Sequence, residues 1–235
     1  MKQNKTNAAP DSTCVIGITG GVGSANPAAS EGTCVIGITG GVGAGKSTVL
    51  GILARDYGAY LLPADDIGKE ICEPGGRAYD AIRDLFGPGI VMADGRLDRP
   101  AMAAAAFADP QLLEQMEKIL HPAIGEEIQE RIRQSGRPLC VVEAALLLEA
   151  NYDAFCDEVW YVHARREVRI ARLRASRGYT RKKCLQVMSQ QLSDREFRRR
   201  CAAVIENSGD LDKTTASIRR QLERLTKRSK GAGQP

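Results

Sequence analysis

The sequence predicts an α/β fold with a parallel sheet, and three observations predict it. Short β-branched runs alternate with longer stretches of helical periodicity, the pattern of consecutive βαβ units. A glycine-rich motif follows the first complete run and opens a helical pattern. The chain of 235 residues, 43% hydrophobic and 26% charged, can bury a real core and is neither disordered, collagen-like nor a disulfide scaffold.

The elements follow in order. Thr13 to Gly23 reads TCVIGITGGVG, and Thr33 to Gly43 repeats the same letters 20 residues later. Only the second copy goes on to Gly45, Lys46 and Ser47; the first has Ala25, Asn26 and Pro27 there. Residues 1–32 are therefore expected to be a disordered extension carrying an incomplete duplicate, and the domain to occupy 33–226. Strands are expected near Cys34 to Thr39, Ala59 to Leu62, Leu139 to Val142, Glu158 to Val162 and Ala203 to Ile205. Between the second and third, residues 68–137 read as a helical insertion punctuated by prolines, among them Pro110 and Pro122. Residues 165–200 hold 13 Lys or Arg against three acidic residues, a local +10 in a chain of net +4. That block reads as a cationic lid, and residues 227–235 as a disordered tail.

Gly40, four intervening residues, then Gly45, Lys46 and Ser47 fit G-x-x-x-x-G-K-[ST] in the required context, after a strand and before a helix. Such a loop turns its backbone N–H groups inward on phosphate oxygens, and the helix N-terminus adds partial positive charge. Gly41, Val42, Gly43, Ala44, Gly45, Lys46, Ser47 and Thr48 are thus the expected nucleotide-binding residues, with Lys46 on the β- and γ-phosphates and Ser47 on Mg²⁺. The guanine-reading N-K-x-D and the dinucleotide G-x-G-x-x-G are both missing, which disfavours a GTPase switch and a Rossmann dehydrogenase. Asp65, just past the second strand, stands where ligands bind in parallel sheets. It is equally suited to be a general base or the N-cap of the next helix.

Together the runs GITGGVGAGKST, ADDIGKEICEPGGRAY, DGRLDR, LHPAI, LLLE and VIENSG, in this order, resemble the dephospho-CoA kinase family. The resemblance implies a P-loop core of five parallel strands in the order 2-3-1-4-5, with a helical CoA-binding insertion and a lid. It implies ATP-dependent phosphorylation of the ribose 3′-hydroxyl of dephospho-CoA, the last step of CoA synthesis. By position it implies Asp65 as catalytic aspartate, Arg172 as a lid arginine on the phosphates, and Thr39 as a substrate contact. Asn207 resembles the family's adenine-side loop, though Asn-Ser-Gly also favours a plain turn. His121 and Pro122 fall where an acceptor pocket is expected, His121 being alternatively a helix cap. The family's D-A-D stretch begins with Pro63 here, and its strand-end aspartate is Glu143, a candidate water-mediated contact to Mg²⁺ or a solvated strand end.

Two other functions compete: a P-loop kinase of another small metabolite, and a non-catalytic nucleotide-binding module. The basic block has only Tyr179 and Phe197 as aromatics, poor provision for nucleic acid. Seven cysteines without a C-x-x-C pair, and no apolar run of spanning length, point to a cytoplasmic protein away from membranes. A monomer or weak homo-oligomer is expected.

Overall fold

In the computed structural model, which describes residues 32–231 with side chains through Lys227, five strands form one parallel sheet in the order β2-β3-β1-β4-β5. They are β1 (Cys34–Thr39), β2 (Tyr60–Pro63), β3 (Leu139–Glu143), β4 (Glu158–His163) and β5 (Ala203–Glu206). Each lies within one residue of its expected bounds, and the order is the one the resemblance implies. The strands read as continuous apolar runs because the sheet is covered on both faces. The duplicate Thr13 to Gly23 lies outside the described residues.

Side-chain alternation along β1 divides the core. Ile36 and Ile38 pack with Val141, Trp160, Val162 and Ile205 against α1 (Lys46–Tyr57) and α9 (Leu211–Gly231), through Ile52, Leu53, Ile218 and Leu222. Val35 on the other face joins Val142, Val159 and Tyr161 under the helical insertion. That insertion comprises α2 (Ala64–Glu70), α3 (Tyr79–Phe86), α4 (Arg99–Ala108) and α5 (Pro110–Ser135). Ile124, Ile128 and Ile132 recur at i+4 and lay one stripe of α5 on the core. Ile128→Ala, at a fully buried position, is expected to cost about 2–5 kcal/mol, read as a fall in Tm.

Two expectations are corrected. The helix does not stop before Pro122: α5 runs through it, and Pro122 lies exposed, where water can serve the carbonyl it leaves unpaired. His121 is accordingly mid-helix and caps nothing. The final helix does not end before the expected tail at Lys227 but continues to Gly231. Its face is pinned by Ile218 and Leu222, and by Arg224 hydrogen-bonded to the buried carboxylate of Glu158 on β4.

The basic block folds as α6 (Arg166–Arg177), α7 (Arg181–Ser189) and α8 (Asp194–Arg200). The first two form a hairpin with a small core of their own: Ile170, Leu173 and Cys184. The last is different. A capping box from Ser193 and Glu196 starts α8, and Phe197 stacks on Tyr161 with ring centroids 4.6 Å apart. Phe197 belongs to the main core, so the separately packed hairpin ends before α8.

Candidate active site

Strand β1 delivers the chain to Gly40, and the loop from there to Gly45 wraps the start of α1. Two of its glycines are required. Gly40 has φ 151 and a Cβ there would meet the Val162 carbonyl at 2.5 Å; Gly45 has φ 86 and a Cβ would stand 2.3 Å from Asn207 Nδ2. Lys46 reaches back from the first helical position, donating to the Gly40 carbonyl at 3.1 Å and pairing with Glu143 at 3.3 Å. Burial raises the Glu143 carboxyl above its ordinary range; Lys46 opposes this, and Asp65 and Asp66 add to it.

A cleft of about 580 Å³ opens in front of the loop, lined by Gly41, Val42, Gly43, Gly45, Lys46 and Ser47, together with Asp65 and Glu143. Arg172, Arg177 and Gln191 of the lid face it from the other side. A second cleft, about 460 Å³, lies between α2, α4 and α5. Its wall is largely apolar, with Met102, Leu120, Ile124 and Leu146, and it carries Lys69, Arg99 and His121. Tyr152 closes one side, donating to the His121 carbonyl at 3.3 Å; burial pushes its hydroxyl up to about 12, so it stays protonated. Asp65 lines both clefts.

Asp65 is not the helix N-cap. Pro63 holds that position, no side chain caps α2, and Asp65 sits in its first turn beside Asp66. The two departures at the strand ends are neighbours, since Pro63 of β2 and Glu143 of β3 are register partners. A proline removes one carboxylate from this corner, and the longer Glu143 remains beside Lys46.

Five expected contacts fall elsewhere. Thr39 is fully buried at the end of β1 and reaches neither cleft, so it is no surface for substrate. Ala44 is buried, and Thr48 and Pro122 point to solvent away from both cavities. Asn207 is buried, its amide nitrogen donating to Ala44 O at 2.8 Å and Gly45 O at 3.3 Å and its amide oxygen accepting from Thr214. It shapes the loop from behind. Arg172 does similar work: its guanidinium donates to the carbonyls of Gly43, Ala44 and Asn207 at 3.5, 3.1 and 2.8 Å. Gln191 had no signal in the sequence, being one of two adjacent glutamines between helices.

The dephospho-CoA kinase family model matches residues 34–213, most of the chain and every strand of the sheet. The chain belongs to the dephospho-CoA kinase family. A dephospho-CoA kinase of Geobacter sulfurreducens is 38% identical over 214 residues, covering 90% of this chain and 96% of the relative. One from Symbiobacterium thermophilum is 40% identical over 178 residues, 74% of each chain. The solved structure of TT1252 from Thermus thermophilus superposes with a TM-score of 0.70 at 32% identity, covering 82% of this chain and 98% of that one. As a member of this family the chain is a kinase: it phosphorylates dephospho-CoA with ATP, in CoA biosynthesis.

Proposed function

We propose that ATP lies in the phosphate-loop cleft, dephospho-CoA in the apolar cleft, and that Asp65 links them as the base for the ribose 3′-hydroxyl. The observation that carries this is the position of Asp65 on the wall common to both cavities. A carboxylate there accepts the hydroxyl proton as the oxygen attacks the γ-phosphorus and the bond to the β,γ-bridging oxygen breaks. Lys46 meets the charge on the departing side, and the loop amides fix the donor. Lys69, Arg99 and His121 on the wall of that cleft would hold the acceptor's anionic part, and the apolar wall its uncharged part.

Phosphoryl transfer from ATP calls for a divalent cation, and Mg²⁺ fits the donors present. Ser47 offers a hydroxyl and Glu143 a carboxylate in the same cleft, both hard oxygens. Among the described residues no group of three or more His, Cys, Asp or Glu is arranged to hold a metal alone. A cation would therefore share its shell with nucleotide phosphates, as Mg²⁺ does, and would supply charge neutralisation there. The six described cysteines are free thiols, which suits a reducing compartment such as the cytoplasm; among the described residues no helix is long and apolar enough to cross a membrane.

An acceptor-panel assay tests the reading: ATP consumption is expected to depend on dephospho-CoA, with mass and attachment site placing the new phosphate on the 3′-hydroxyl. Consumption with another small acceptor, or none, would reject it. Because Arg172 grips three carbonyls around the loop, Arg172→Ala is expected to weaken ATP binding about tenfold to hundredfold as well as lower kcat. A guanidinium reserved for the moving phosphoryl would lower kcat with ATP binding intact; ATP titration alongside kcat separates the two.

A further inference from the structure

The lid touches the phosphate loop at one further place, where two donors converge on a single side-chain oxygen. Gln191 Oε1 accepts from the backbone N–H of Val42 at 2.9 Å and from Arg169 Nη2 at 3.1 Å. Arg169 is fixed for this by its Nε, which donates to the Val42 carbonyl at 2.8 Å. The guanidinium is half-buried and its hydrogen bonds go to neutral oxygens; burial works against its charge, and the Asp194 carboxylate, itself paired with Arg198, acts on it only through space. A backbone amide of a phosphate loop and an arginine with no directly bonded carboxylate among the described residues, aimed at one point, are the donors an anionic oxygen takes. A neutral amide oxygen is a weak occupant of such a point.

We propose that Gln191 and the terminal phosphate of ATP compete for this donor pair, so that Gln191 sets how strongly the enzyme distinguishes ATP from ADP. The assignment to the terminal phosphate follows from the loop's direction. Val42 belongs to its first half, away from the N-terminus of α1, which begins at Lys46 and serves the inner phosphates. Val42 and Gln191 both line the cleft whereas Arg169 does not, so the Gln191 side chain must swing aside before a phosphate oxygen can reach both donors. This inference rests on the kinase reading of that cleft.

The test is titration of the full-length enzyme with a non-hydrolysable ATP analogue and with ADP. Gln191→Ala frees the pair, and is expected to tighten the ATP analogue about threefold to tenfold, the worth of one net intramolecular hydrogen bond, with ADP within about twofold. Gln191→Glu installs an anionic competitor beside Arg169 and is expected to weaken the ATP analogue about tenfold more than ADP. Gln190→Ala, at the exposed neighbour, changes neither. Weaker ATP-analogue binding in Gln191→Ala, equal shifts for both nucleotides, or no shift would each overturn the competition, and the alanine variant decides alone if the glutamate variant does not fold. Wild-type enzyme that binds neither nucleotide would reject the kinase reading as well; binding that the substitutions leave unmoved rejects only this inference.

Discussion

On the proposed reading Lys46→Ala is expected to lower kcat about 10²- to 10³-fold or more, because the loop's side-chain cation is removed from the cleft that would hold the β- and γ-phosphates, where charge builds up. A variant retaining more than about a tenth of wild-type kcat would sink the assignment, since a tenth corresponds to about 1.4 kcal/mol. The pairing in the structure adds a second, separable effect. Lys46 and Glu143 are 17% and 16% exposed, and burial already raises the Glu143 carboxyl. Without the ammonium, that carboxyl moves further up or is left charged and poorly solvated, so some stability is lost too. Glu143→Gln in the Lys46→Ala background is expected to restore Tm and leave kcat low. Recovery of kcat along with Tm would mean that Lys46 acts through folding.

The parts of this molecule written in local pattern were legible before the structure was. All five strands are short apolar runs bounded by turn residues, and the phosphate loop is a fixed spacing of small and charged residues. Parts decided by tertiary contact were not. Nothing local says that α5 continues through Pro122; the isoleucine stripe beneath it outweighs one lost hydrogen bond on the wet side. Asn207 and Arg172 stand out in the sequence, but what they do depends on which carbonyls face them across chain separations of more than a hundred residues. Thr39 sits one residue from the loop in sequence and is sealed off from the cleft by burial. Gln191 illustrates the limit most plainly. An uncharged residue in a connection acquires meaning only when the hairpin of α6 and α7 folds onto Val42.

The same distinction bears on Asp65, for which the sequence allowed a base or a helix cap with equal force. Asp65→Asn is expected to lower kcat about 10²- to 10⁴-fold with ATP affinity nearly unchanged, because the amide keeps the shape but cannot accept the proton. Proton acceptance is the only large loss the substitution can cause here. The side chain makes no capping bond, so its structural worth is the interaction of one exposed first-turn carboxylate with the helix dipole, about 0.3–1 kcal/mol. Asp66 stays in the same turn to retain part of it. Thermal unfolding and single-turnover kinetics on one preparation therefore discriminate sharply. A small fall in Tm with a collapsed transfer rate identifies the base, whereas an equal fall in Tm with kcat held would return Asp65 to the helix and leave the 3′-hydroxyl to another acceptor.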